Sequence, residues 1–187
     1  MEFRYSDDFL KILELSRDEA LRTGWHCIGP DHIMLGILRH SDNPACECLR
    51  LAGISPEDFK EYLDSALFSE EEIPWSDRDK INLSRSALSL LGHAAQECLS
   101  CADNRLEPLH YVFACCHVAG PHSYDYLFEH GVELRALVEA SGIDWCVYGH
   151  SGEARKKEAA APDPQILAAA IEKRIREGYT TGNPLLN

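Results

Sequence analysis

Apolar residues recur every three or four positions through most of the first 145 residues, and that spacing predicts helices. In "SDDFLKILELSRDEAL" the positions Phe9, Ile12, Leu13, Ser16 and Ala20 fall on one stripe. Ser6 suits the helix cap, Asp7 and Asp8 complement the positive end of the helix dipole, and Gly24 stops the helix. Pro30 sits at a first helical position, and "DHIMLGILRH" continues as a short second helix. Asn43-Pro44 opens a third, ended by Gly53. "SPEDFKEYLDSAL" is a fourth, with Ser55 as cap, Pro56 in the first turn and Asp58 three residues after the cap. No run of alternating β-branched residues offers a strand, so the expected fold class is all-α.

The same plan occurs twice. Shifting the chain by 78 residues lays "LELSRDEALRTGWHCIGPDHIMLGIL" on "LGHAAQECLSCADNRLEPLHYVFACC" without a gap. Ser6 then meets Ser84, Leu13 meets Leu91, Glu19 meets Glu97, Pro30 meets Pro108 and His32 meets His110. Leu49 meets Leu127 and Gly53 meets Gly131. The matches fall on helix faces, turn residues and helix-stopping glycines, as expected of one supersecondary unit used twice. The pattern predicts a body over residues 1–145. It consists of a first four-helix repeat over about 4–68, an acidic linker over 69–77 broken by Pro74, and a second repeat over about 78–143, the two packed as one pseudo-twofold unit. Residues 146–187 read as a polar, Ala/Pro-interrupted linker followed by an amphipathic helix, "DPQILAAAIEKRIREG", with Leu167, Ile171 and Ile175 on one face. That face suits either the chain's own body or a partner.

Composition narrows the function. The 45% hydrophobic and 26% charged content is that of an ordinary globular chain, and the formal net charge is −13. Residues 151–187 hold six Lys/Arg against five Asp/Glu, which leaves the body at −14. Such a surface repels nucleic acid and anionic membrane and favours basic partners. Neither an apolar run long enough to span a bilayer nor a signal peptide at Met1 is apparent, so the expected location is cytoplasmic, with eight reduced cysteines.

"CIGPDHIMLGILRH" is where chemistry would be sought. His32 could be a base oriented by Asp31, but neighbouring residues on a helix point about 100° apart and no nucleophile stands in a recognisable setting. The blander reading places His32 and His110 at the base of each short helix, bonded to nearby backbone. Gly36 lets two helices approach, and Asp31 is a solvated first-turn acid. Cys98-x-x-Cys101 with Cys115, Cys116 and His117 resembles loose zinc spacing. Yet Cys98 aligns with Ala20 and Cys115 with Ile37, both packing positions, and Cys46 and Cys48 point in different directions. No metal is expected. A phosphate-cradling Gly-x-x-x-x-Gly-Lys-Ser/Thr loop is also absent from the sequence, so no nucleotide or other cofactor is expected.

"SDDFLKILELSRDEALRTGWHCIGPDHIMLGILR" followed by "ACECLRLAGIS" resembles the duplicated N-terminal domain of the Clp chaperone ATPases, ClpA, ClpB and ClpC. The resemblance covers about residues 4–142. It is strong in the first repeat and weaker in the second, where "EPLHYVFACC" has Leu109 in place of the turn acid and lacks the internal glycine. It implies a free-standing, non-catalytic binding module whose partners are Clp ATPase or protease components, adaptors or substrates. In ClpC-type domains the leading hydroxyl and the turn acid form a pocket for a phosphorylated arginine. Carried over, this implies one weakened pocket at Ser6 and Asp31, and a second at Ser84 that has lost guanidinium recognition because Leu109 stands in the acid's place. The alternative is that Ser6 and Asp31 only cap helix starts. Two other functions stay open: a homo-oligomeric structural protein assembled through the tail, and a small hydrolase using His32 or a cysteine. The sequence leaves the oligomeric state undetermined.

Overall fold

In the computed structural model of this chain, residues 4–101 and 103–148 are described. The expected tail helix, with Leu167, Ile171 and Ile175, lies outside the described residues. Helices α1 (Asp7–Arg22) and α5 (Arg85–Ser100) are both 16 residues long and both start on a serine. The Ser6 hydroxyl accepts from Phe9 N at 3.1 Å, and the Ser84 hydroxyl accepts from Ala87 N at 3.1 Å. Each satisfies one of the amide groups that a helix start leaves without a partner. Helices α2 (Pro30–Arg39) and α6 (Pro108–Cys115) begin on proline. α3 (Pro44–Leu51) and α7 (His122–Glu129) follow, each ended by a glycine in the left-handed region, Gly53 at φ +85° and Gly131 at φ +66°. α4 (Pro56–Leu67), with Asp58 N donating to the Ser55 hydroxyl, and α8 (Leu134–Ala140) complete the two sets of four helices.

The structure adds four two-residue strands: β1 (Arg4–Tyr5), β2 (Cys27–Ile28), β3 (Asn82–Leu83) and β4 (Arg105–Leu106). They are too short to show an alternating pattern. Their pairing is between repeats: β1 runs parallel to β4, and β2 parallel to β3. The strand before each long helix is therefore bonded to the strand before the short proline-led helix of the other repeat.

One hydrophobic core results, and it takes residues from both repeats. Phe9, Ile12, Leu13, Ile33, Leu35 and Leu49 share it with Leu91, Ala94, Tyr111, Phe113 and Leu127. The fully buried Tyr111 donates its hydroxyl to Pro30 O of the other repeat at 2.9 Å, and Cys48 Sγ reaches Leu137 O at 3.1 Å. α1 and α2 pack especially closely. A Cβ built on Gly36 would lie 2.5 Å from Ser16 Oγ and 2.7 Å from Ile12 O. In the second repeat the equivalent positions are Ala114 and Ala94, so a methyl group stands in place of the glycine's hydrogen and another in place of the serine's hydroxymethyl.

Gly36→Ala sets a helix-propensity gain of about 1 kcal/mol against an overpacking cost of about 1–3 kcal/mol. Overpacking should win, because Ile12 O is backbone and cannot rotate away. Urea unfolding should show net destabilisation, with only partial recovery when Ser16→Ala is added.

Candidate partner-binding site at the crossed helix starts

The crossed ladders decide which turn each capping serine meets. Ser6 N donates to Leu106 O at 3.1 Å, which sets the Ser6 hydroxyl beside Glu107 at the start of α6. Ser84 N donates to Ile28 O at 2.9 Å, immediately before the Gly29-Pro30-Asp31 turn. Pairing Ser6 with Asp31 inside one repeat is therefore corrected: Ser6 faces the turn of the second repeat, and Ser84 that of the first. Both hydroxyls are also occupied as caps. Burial pushes the Glu107 carboxyl above its usual range, while the Ser6 hydroxyl and Arg105 act in the opposite direction.

Asp31 is not a solvated acid. It is 6% exposed, and its carboxylate accepts from His122 N at 3.0 Å, from Ser123 N at 2.8 Å and from the Ser123 hydroxyl at 2.5 Å. It caps α7 from another repeat. The reason lies in the local sequence: α7 starts on Pro121, which has no side-chain acceptor, and both its first amides need one. The equivalent helix α3 is arranged the opposite way. Asn43 caps it directly, accepting from Ala45 N at 2.9 Å and Cys46 N at 3.1 Å, and Pro44 has no N–H to offer. A carboxylate at position 109 would find no donors there, and Leu109 packs against the core instead.

His32 and His110 do the same work in the two repeats. His32 Nδ1 accepts from Gly29 N at 2.8 Å, and His110 Nδ1 accepts from Glu107 N at 3.1 Å. Each ring folds back onto the residue that starts its own helix. His32 Nε2 lies 3.1 Å from the Thr23 hydroxyl, which itself donates to Glu19 O at 2.8 Å. With Nδ1 accepting, Nε2 carries the proton and donates to Thr23. Burial brings both imidazoles down to about 4, so they are neutral near pH 7.

Two hollows lie beside the crossed starts. One, of about 370 Å³, lies between Pro30, Ser86, Leu90 and the Val118–Pro121 segment. The other, of about 340 Å³, is bounded by Pro44, Cys101, Asp103, Glu107 and Leu109. The first is lined mainly by apolar atoms with two serines at its edge, and the second has two carboxylates at its edge. Among the described residues no group of three His, Cys, Asp or Glu side chains is placed to hold a metal ion.

This geometry has known counterparts. The family model for the Clp repeat N-terminal domain matches residues 4–121, which is well over half of the chain. The chain belongs to that family. Among curated relatives, the negative regulator of genetic competence ClpC/MecB of Bacillus subtilis is 32% identical over 97 residues, covering 49% of this chain and 12% of that protein. The chaperone protein ClpB of Oceanobacillus iheyensis is 29% identical over 97 residues, again covering 49% and 12%. The chain thus spans about an eighth of the length of these relatives. In fold it resembles the N-terminal domain of the caseinolytic protease associated chaperone ClpD from Arabidopsis thaliana, with a TM-score of 0.57, 19% identity, and coverage of 75% of this chain and 94% of that one.

Within this Clp repeat domain, two features that sequence reasoning did not assign a role hold the helices together. Glu19 is buried and takes Arg22 at 2.6 Å and Arg39 at 2.9 Å. Its repeat mate Glu97 takes His117 at 2.9 Å and the Tyr148 hydroxyl, so the same buried carboxylate ties down different elements in the two halves. The thiols fill packing space. Cys46, Cys98 and Cys116 point at carbonyl oxygens, and burial raises the Cys116 and Cys101 thiols to about 12. Thiolates, the form that binds metal or attacks an electrophile, are thereby disfavoured. No helix among the described residues is long and apolar enough to cross a membrane.

Asp31→Ala removes a buried acceptor from three donors and should cost about 2–3 kcal/mol. Hydrogen exchange at the His122 and Ser123 amides should accelerate, and Asp31→Asn, which keeps an acceptor, should lose less.

The two histidines set a pH dependence. Their folded values near 4 lie below the ordinary 6.5, so protons bind preferentially to the unfolded chain. Their contribution to stability is complete above 6.5 and is lost as pH falls toward 4. Denaturation midpoints measured across that window should decline, and the decline should be shallower in His110→Gln, which keeps a side-chain acceptor at the same helix position.

Proposed function

We propose that this chain is a non-catalytic protein-binding module, an adaptor or regulator acting in substrate recognition by a Clp-type chaperone or protease. The observation that carries this reading is the family match over residues 4–121 on a body whose buried polar groups are occupied in building the fold. His32, His110 and Asp31 all bond to helix starts, so the candidate acid–base residues serve as caps. The acidic surface and the open hollows beside the helix starts are features of a body that receives other proteins. Recognition of a guanidinium by Asp31 is not part of this proposal, because both carboxylate oxygens accept hydrogen bonds from α7.

The test is co-purification. The tagged full-length chain, cross-linked in cells and identified by mass spectrometry, should carry a Clp-type ATPase or protease subunit. Recovery of nothing but further copies of itself would instead favour a homo-oligomeric structural protein. In calorimetry, millimolar phosphoarginine should give no binding heat with wild type.

A further inference from the structure

Resting on the reading above as a binding module, we propose that one edge of the first repeat is its docking surface for a Lys/Arg-rich peptide segment of a protein partner. The edge is built where the turn after α1 meets the segment after α4. Ser69 N donates to Thr23 O at 3.1 Å, and the Trp25 indole N–H donates to Leu67 O at 2.7 Å. Trp25 also packs against the His32 ring, with centroids 5.9 Å apart. This tryptophan is pinned in place and yet 44% exposed, while Phe68 and Trp75, on the same connecting segment, are 71% and 66% exposed. Two of the three tryptophans in the chain stand here.

The fold does not require these rings. Positions 25 and 68 correspond in the second repeat to Asp103 and Cys146, and that repeat forms the same helices without them. Large exposed aromatics that packing does not demand mark interaction sites, and tryptophan in particular is favoured where binding energy concentrates.

Charge decides what fits. Between Phe68 and Trp75 runs the exposed triplet Glu70, Glu71 and Glu72. Glu71 pairs with His26 at 2.8 Å, whereas Glu70 and Glu72 are in no ion pair among the described residues. The neighbouring cations already serve the body: Arg22 is held by Glu19 and Asp64, and Arg78 by Asp18 at 2.5 Å. Arg78 also lies 5.5 Å from the centroid of Trp75, a cation–aromatic contact within the chain that still leaves the ring 66% exposed. Exposed aromatic faces beside uncompensated carboxylates, on a chain of net charge −13, favour basic side chains spaced by apolar ones.

The test uses full-length protein and a defined probe, a fluorescent peptide of alternating arginine and leucine, with a glutamate–leucine peptide as control. Wild type should bind the basic probe, with a change in tryptophan emission, and should leave the acidic control unbound. Phe68→Ser with Trp75→Ala should weaken binding by roughly tenfold or more, as should Glu70→Gln with Glu72→Gln. All four side chains are exposed, and matching thermal unfolding would show that the variants remain folded. Failure of wild type to bind the basic probe would overturn the proposal, as would unchanged affinity in both double variants, which would signify general attraction to an acidic protein. Binding that appears only after Lys156→Glu and Lys157→Glu would show that the chain's own tail occupies the edge, and would also overturn a partner as the occupant. The probe contains no Clp component, so its failure sinks this surface alone and leaves the module assignment to co-purification.

Discussion

Each long helix of this protein begins on a strand that is hydrogen-bonded to the other repeat, and the rest of the body follows from that exchange. β1 pairs with β4 and β2 with β3, so the start of each long helix is hydrogen-bonded to the neighbouring repeat. Tyr111 strengthens the exchange by sending its hydroxyl to Pro30 O from the middle of the shared core. Repeats that cannot bury their apolar faces alone gain stability by sharing a core, and here the backbone is shared as well. The site elements inherit this arrangement. A serine-capped helix start from one half always lies beside a proline-led helix start from the other.

Divergence between the halves follows a compensating logic. Where α3 carries its own Asn43 cap and a proline without an amide hydrogen, the facing residue is the apolar Leu109. Where α7 starts without a side-chain cap, the facing residue is Asp31, which supplies one across the repeats. Gly36 with Ser16, and Ala114 with Ala94, show the same pairing of changes at the helix crossing. Asp31 in this chain is thus explained by local hydrogen-bond need. An ion held by three donors at a buried helix start is costly to remove and poorly placed to receive a ligand.

Buried polar groups are unusually informative in such a body because each must find a partner. Glu19 and Glu97 occupy equivalent positions, but one recruits arginines from α1 and α2, while the other takes His117 and the Tyr148 hydroxyl. The first ties helices of one repeat together, and the second draws in the segment after α8. The two histidines at the helix starts show the opposite behaviour: the same residue, the same backbone partner and the same downward shift of the imidazole in each half.

Much of the fold was legible in the residues themselves. Apolar spacing, the serine and proline starts, the glycine stops and the 78-residue register are local or periodic signals, and they specify two sets of four helices. The four short strands were not legible, since two residues carry no period. Nor was the identity of each neighbour. A hydroxyl at position 6 and an acid at position 31 look like members of one repeat's pocket, but parallel pairing between repeats sends Ser6 to Glu107 and turns Asp31 inward to α7. Sequence periodicity reports which face of a helix is buried. Which chain segment covers that face, and which stray amide needs a carboxylate, depends on contacts between residues about 90 positions apart, and only the packed body decides them.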